Sequence, residues 1–176
     1  FRHIGSGFFL LSIFTGIIGG FMIGISAYRF VYLESLSFPI ILVGTIMGLS
    51  RFVWFILGNN IHWLERFSVK KLLFVEIFLF AGIFILSAVF SNPYIIALLF
   101  ILINGYYWSR DQLIKAFYLK KFTKNKELKA TMLSIKNQVQ LLIQAVFSFG
   151  IGFVMAISYQ FGFALVGIMY LVILLI

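Results

Sequence analysis

The stretch NGYYWSRDQLIK, residues 104–115, places an arginine and an aspartate side by side directly after the apolar run NPYIIALLFILI. Ionisable groups are costly inside a lipid bilayer, and those that occur there pair with other groups, line solute pathways or relay protons. Neighbours in a helix lie about 100° apart around its axis, so Arg110 and Asp111 cannot neutralise each other well and each is expected to have another partner. The chemistry open to this pair depends on where the membrane lies along the chain.

The composition is that of an integral membrane protein. Hydrophobic residues make up 62% of the 176 residues and charged residues 11%, whereas a soluble domain is about 25% charged. The mean hydropathy of +1.10 leaves too little polar surface to cover a water-soluble globule. Cysteine is absent, which excludes a disulfide framework and a thiolate metal site or nucleophile, and His3 and His62 lie far apart. We therefore expect no cofactor, apart from a coupled proton or ion.

Six apolar stretches are predicted to cross the membrane as helices. A helix needs about 20 apolar residues to cross a hydrocarbon layer of about 30 Å, and none of the stretches has the period-two alternation of a membrane barrel strand. The predicted spans are 6–32, 40–60, 72–90, 94–119, 130–157 and 161–176. We interpret residues 1–176 as a single bundle, all-α, with six transmembrane helices. The sequence opens on Phe1 and closes on YLVILLI, so we expect a fragment of a larger protein.

Basic residues in alternate connections predict the orientation. Lysine and arginine concentrate before the first span, between the second and third, and between the fourth and fifth, while LESLSFP, SNP and SYQ contain neither. The positive-inside rule assigns the basic connections, including 120–129, and both ends of the chain to the cytoplasm. The net charge of +9 is then mostly a topology signal. We expect anionic lipid rather than nucleic acid as its partner, in a multi-pass protein of the cell membrane.

Polar residues recur every three or four positions on four of the spans, which places each set on one helix face. We expect the first, second, fourth and fifth helices to line a shared interior, and the third and sixth to face lipid. For the amides of the fifth span, interhelical hydrogen bonding and cavity lining both remain open. The predicted substrate pathway consists of Arg29, Arg51, Asn104, Tyr107, Trp108, Arg110, Asp111, Asn137, Gln140 and Gln144.

The depth of each charge separates functional candidates from surface ones. Arg51 lies about eleven residues, or about 16 Å, from either end of its span, and Arg110 and Asp111 lie about 24 Å below the outer surface. Asp111 is predicted to be the only deep carboxylate, with Arg51 as its expected counter-charge. Snorkelling to the nearer surface is the favoured interpretation for three shallower cations, Arg29, Lys115 and Lys136.

Two motifs and the layout resemble the C-terminal half of a major facilitator superfamily (MFS) transporter. GNNIHWLERFSVKK, residues 58–71, resembles the Gly-x-x-x-Asp-Arg-x-x-Arg-Lys loop of that family, with longer spacing. KATMLSIKNQ, residues 129–138, resembles the Arg-Ala-Thr-x-x-Ser start of its eleventh helix, with lysine in place of arginine. The resemblance implies that the loop after the second span controls conformational switching, through Gly58, Glu65, Arg66, Lys70 and Lys71.

The resemblance also implies two inverted three-helix repeats, with a solute site near the middle of the bilayer. The expected function is secondary active transport of a small solute by alternating access, without enzymatic activity, and the expected partner is an N-terminal half. Arg51 and Arg110 outnumber the deep carboxylate, which favours an anionic or polar solute, while the aromatic residues 106–108 would also suit an amphiphilic one. A non-transporting membrane scaffold or sensor and a membrane-embedded lipid-modifying enzyme are the alternatives, and the enzyme would need clustered acids or histidines.

Overall fold

The described residues fold entirely into helices and short connections. The structure is a computed structural model, and it describes residues 6–60, 66–122 and 129–174. Within these ranges there is no β-strand, which confirms the all-helical prediction. The helices are α1 Ser6–Gly24, α2 Ser26–Ser35, α3 Val43–Asn59, α4 Val69–Val89, α5 Pro93–Phe122, α6 Lys129–Ile157 and α7 Tyr159–Ile173, and a 3-10 turn, Ile40–Leu42, leads into α3.

Polar residues in the short connections fix where helices begin. Asn92 accepts hydrogen bonds from the backbone N–H groups of Tyr94 and Ile95, and Pro93 occupies the first helical position of α5, where a missing N–H costs nothing. Ser68 and Ser158 cap α4 and α7 in the same way, each accepting a backbone N–H three residues later. These caps lie in or next to the breaks that separate the predicted spans.

Four helical segments are long and apolar enough to cross a membrane. They are Gly7–Ser35, which joins α1 to α2, and Ile40–Asn59, Val69–Val89 and Ala130–Ile157. This finding fits a helical membrane protein. The fourth predicted span coincides with α5, which has 30 residues but a polar second half, and the sixth coincides with α7, an apolar helix of 15 residues.

Three helix pairs dominate the packing: α1 with α6, α3 with α5, and α4 with α7. If α1 and α2 count as one segment, the six segments in chain order pair as first with fifth, second with fourth and third with sixth. If the first, second and third segments are swapped with the fourth, fifth and sixth, the α1–α6 pair takes the place of the α3–α5 pair, and the α3–α5 pair that of α1–α6. The α4–α7 pair stays the same. The contact pattern is therefore symmetric under exchange of the two halves of the chain.

Each of these helix pairs has a glycine at a close contact between the two helices. A Cβ atom added at Gly20 would lie 3.0 Å from the backbone nitrogen of Gln144 on α6. One at Gly105 would lie 2.6 Å from the Cβ of Val53 on α3, and one at Gly167 would lie 3.0 Å from the carbonyl oxygen of Ala81 on α4. Small residues let helix backbones approach closely, which favours association inside a membrane where lipid competes for apolar contacts.

Replacing Gly105 by valine is expected to separate α3 from α5 and to lower the yield and thermal stability of the purified protein. The expected destabilisation is about 1–3 kcal/mol, the usual range for overpacking. The matched control is Gly82→Val on α4, because a Cβ at Gly82 has no neighbour within 4 Å. Equal melting temperatures for the two variants in detergent would contradict the packing described for Gly105.

The prediction that the third and sixth helices face lipid is only partly right. α4 buries eight residues and α7 buries six, so both contribute inward faces to the core. The wide uncovered surfaces belong instead to the second and fifth segments, whose apolar windows are 11% and 17% buried. Hydropathy could not reveal this, because a side chain that faces lipid and one that packs against another helix are equally apolar.

Candidate functional site

Arg110 forms an ion pair with a carboxylate that the sequence did not single out. Its Nε donates to Oε1 of Glu76 on α4, and both side chains are buried, with 2% and 0% of their surface exposed. The second carboxylate oxygen of Glu76 and one terminal nitrogen of Arg110 have no hydrogen-bond partner among the described residues. A buried charge on an apolar helix is stable only with such a partner. Asp111 is therefore not the only deep carboxylate.

Asp111 contacts two lysines from different helices. One carboxylate oxygen lies 2.7 Å from Nζ of Lys115 on α5, and the other lies 3.3 Å from Nζ of Lys136 on α6. Lys136 is buried, with 1% of its surface exposed, so its predicted snorkelling is wrong. The predicted Arg51–Asp111 pair is also wrong. The adjacent pair Arg110–Asp111 does have separate partners, as its positions around the helix predicted.

Hydrogen bonds extend this cluster from Lys136 to Tyr107, beside α1. Lys136 donates to the amide oxygen of Gln140 at 3.3 Å, and the Gln140 amide donates to the Tyr107 hydroxyl at 3.2 Å. A Cβ atom on Gly19 would lie 3.0 Å from that hydroxyl, so glycine leaves room for the bond. We name the set Glu76, Tyr107, Arg110, Asp111, Lys115, Lys136 and Gln140 the charge network. It ties α4, α5 and α6 together.

A second polar feature is a cavity of about 330 Å³ between α2, α3 and α5. Four predicted pathway residues line it, together with Ser50 and Phe100: Arg29, Arg51, Asn104 and Trp108. We name these four residues and the space between them the arginine cavity. The lining residues that the structure describes contain two arginines and no acidic side chain.

Arg29 is held inside the protein rather than at its surface. It is 4% exposed, and one terminal nitrogen donates to the Met22 carbonyl oxygen at 2.7 Å. Its guanidinium carbon lies 5.9 Å from the centre of the Phe100 ring, and its Nε has no hydrogen-bond partner in the described part of the chain. The snorkelling predicted for Arg29 is therefore wrong. Arg51 is exposed and lies over the Trp54 ring at 5.2 Å.

Two residues of the polar row on α6 form interhelical hydrogen bonds, and none of the described residues of this row lines the arginine cavity. Gln140 belongs to the charge network, and Ser148 donates to the Gly24 carbonyl oxygen at 3.4 Å across the α1–α6 contact. Gln144 is half-buried, with its backbone against Gly20. Asn137 is exposed and does not join either site.

The predicted switching loop lies away from both polar sites. Gly58 is half-buried one residue before the end of α3, and Arg66, Lys70 and Lys71 are exposed. Lys71 lies over the Phe67 ring at 5.5 Å. The prediction for Glu65 falls outside the described residues.

The predicted pathway lacks three members of the charge network, Glu76, Lys115 and Lys136, and the reasons differ for the acid and for the lysines. Glu76 lies eight residues into α4, about 11 Å from its start, and a glutamate side chain is too short to reach water from there. The depth of Glu76 in its span was therefore the feature of the sequence that could have identified it as a buried charge. Lys136 is long enough to snorkel, and nothing in the sequence indicates that it faces Asp111 rather than solvent.

Comparison with known proteins gives no relative from which a role could be transferred. No protein-family model matches the chain, and neither a curated protein nor a solved structure matches it. The function is therefore inferred from the helix packing, the charge network and the arginine cavity.

Proposed function

We propose that the protein is a secondary transporter of the MFS type, in which this chain supplies the C-terminal six-helix half. The observation that carries the proposal is the exchange symmetry of the helix pairing. Three helices followed by three more necessarily run in opposite senses through a membrane, so this symmetry is what two inverted repeats would produce. Inverted repeats around a central site are typical of alternating-access transporters.

The position of the arginine cavity supports the same proposal. Arg51 lies eleven residues after Ile40, and Asn104 lies eleven residues after Pro93, so both lie about 16 Å from the N-terminal ends of their helical segments. That depth is about half of a hydrocarbon layer of about 30 Å. Transporters bind their solutes near the midplane, where unpaired polar groups would otherwise be too costly to retain.

The uncovered faces of α3 and α6 support a second half as the partner. Both carry large exposed apolar residues, among them Phe52 and Phe55 on α3 and Leu142, Phe149 and Phe153 on α6. In the exchange described above, α3 and α6 are equivalent segments. An N-terminal half would cover them on one side of a solute path, while the cytoplasmic loop containing Arg66 would control its switching, as the resemblance implies.

Alternating access predicts that a residue of the arginine cavity reacts from both sides of the membrane. The chain has no cysteine, so single cysteines can be added at Asn104 in the cavity, at Ser91 and at Lys124, which lies outside the described residues. We expect an impermeant maleimide to label Ser91→Cys only in intact cells and Lys124→Cys only in inverted vesicles. Asn104→Cys should react in both preparations of the full-length protein.

The two controls separate a wrong orientation from a wrong function. Labelling of Lys124→Cys in intact cells would overturn the proposed orientation. Correct labelling of both controls, with Asn104→Cys reactive from one side only, would instead favour a non-transporting scaffold or sensor.

A further inference from the structure

The arginine cavity has the features of a binding site for the anionic group of a small organic molecule. Its volume of about 330 Å³ lies at the lower end of the range for small-molecule sites, about 300–1,000 Å³. Its charge is one-sided, because no acidic residue accompanies Arg29 and Arg51 among the described lining residues. A carboxylate, sulfonate or phosphate would supply the missing negative charge.

Arg29 provides the strongest evidence that a ligand belongs there. A buried arginine normally has a carboxylate partner, as Arg110 has in Glu76. Among the described residues, Arg29 donates to the Met22 carbonyl oxygen and sulfur and lies near the Phe100 ring, with no carboxylate partner, and its buried Nε has no hydrogen-bond partner there. Buried polar groups are rarely left unsatisfied, and Arg29 lines the cavity, so its guanidinium is suited to a ligand acceptor there.

The remaining lining residues describe the rest of the ligand. The Asn104 amide offers donors and an acceptor, while Phe100 and Trp108 present aromatic surface about one turn before and one turn after it on α5. Trp108 is 37% exposed, which leaves part of its ring accessible from the cavity. Aromatic walls and one charged end suit a small amphiphilic anion, such as an aromatic carboxylate, better than an inorganic ion.

We propose that the arginine cavity binds a small aromatic or amphiphilic anion, with Arg29 and Arg51 holding its acidic group and Trp108 its apolar part. The ligand is identified as a transported solute only through the function proposed above, but the binding itself requires no transport. Arg29 can form a paired hydrogen bond to two ligand oxygens, which a single lysine could not reproduce.

The test uses the purified full-length protein in nanodiscs of zwitterionic lipid and six related probes. Benzoate, benzenesulfonate and phenyl phosphate are the anions, benzamide and benzyl alcohol the neutral analogues, and benzylamine the cation. We expect at least one anion to raise the melting temperature in a saturable way at millimolar concentrations, and the other three probes to have no effect. Stabilisation of equal size by a neutral or cationic probe, or no stabilisation by any anion, would overturn the proposal.

Variants connect the effect to the cavity. Arg29→Gln and Arg51→Gln should each weaken the apparent affinity for the anion at least about tenfold, because a charge-assisted hydrogen bond is lost. Arg29→Lys should recover only part of it. Lys120→Gln, which changes an exposed cation at the far end of α5, should leave the affinity unchanged. If Arg29→Gln does not fold, the affinity of Arg51→Gln for the anion provides the test, because Arg51 is exposed. Unchanged affinity in Arg51→Gln contradicts the proposal.

Nanodiscs that contain phosphatidylglycerol distinguish a solute from a lipid headgroup. Unchanged binding of the soluble anion in these discs supports a solute site. Stabilisation by the anionic lipid alone, with the same dependence on Arg29 and Arg51, would assign the cavity to a headgroup and overturn the solute assignment. Anion binding without two-sided labelling of Asn104→Cys would support this binding site and refute transport. Two-sided labelling without anion binding would refute only the anion site.

Discussion

Glu76→Gln is expected to destabilise the protein by about 3–5 kcal/mol, the usual cost of removing one partner from a buried ion pair. The substitution preserves the shape of the side chain and removes its charge. Arg110 is 1% exposed and has no other acid within ion-pair distance among the described residues, so its charge would be left in an apolar interior. Unfolding in mixed micelles, with increasing fractions of a denaturing detergent, would measure the loss.

Two further variants show whether the loss comes from the ion pair. Glu34→Gln changes an exposed acid on α2 and should have no measurable effect. The double variant Glu76→Gln with Arg110→Gln should be more stable than Glu76→Gln alone, since no unpaired charge remains. Wild-type stability in Glu76→Gln, or a double variant less stable than either single one, would contradict the buried ion pair.

The helical architecture followed from the sequence because its signals are local. Long apolar runs interrupted by Asn92–Pro93 and by Ser158 separate the helices, and α5 and α6 end within a few residues of the predicted spans. The symmetric pairing of the helices was implied only by family resemblance. The choice of packing partner for each helix depends on side-chain shape at positions such as Gly105 and Gly167. Hydropathy does not describe side-chain shape.

The residues that line the arginine cavity could be predicted from the sequence, but the partners within the charge network could not. Helical spacing placed Arg51, Asn104 and Trp108 on faces that do meet in one cavity. Partner identities were not predictable, because a sequence gives the depth and face of a charge but not the helix opposite it. Depth and face alone therefore favour Arg51 as the partner of Asp111, although Lys115 and Lys136 are the residues that contact it.

Asp111→Asn is expected to abolish or re-tune transport while the protein still inserts and folds. Asp111 contributes the negative charge that holds Lys136 on α6 against Lys115 on α5, and alternating access requires such helices to exchange partners. Lys136 keeps its hydrogen bond to Gln140 in the variant, and Lys115 is half-exposed, so folding should survive. We expect the rate of solute flux in proteoliposomes to fall at least about tenfold, the effect of about 1.4 kcal/mol.

The choice of substitution controls separates charge from packing. Asp111→Glu keeps the charge and should retain part of the flux. Lys115→Gln removes the more exposed of the two partners and should have a smaller effect than Asp111→Asn, since exposed ion pairs contribute little. Equal losses in Asp111→Glu and Asp111→Asn would indicate that geometry rather than charge matters at this position.

Side-specific labelling of Asn104→Cys, with and without Asp111→Asn, tests alternating access most directly. In the otherwise unchanged protein we predict reaction from both sides of the membrane. A change of about 3 kcal/mol in the balance between two conformations shifts their populations by a factor of roughly 100, so the Asp111→Asn variant should react almost entirely from one side. Equal two-sided labelling in both proteins, with normal flux and normal expression across a range of pH, would contradict the role proposed for Asp111. Labelling from one side alone in the unchanged protein would contradict transport itself.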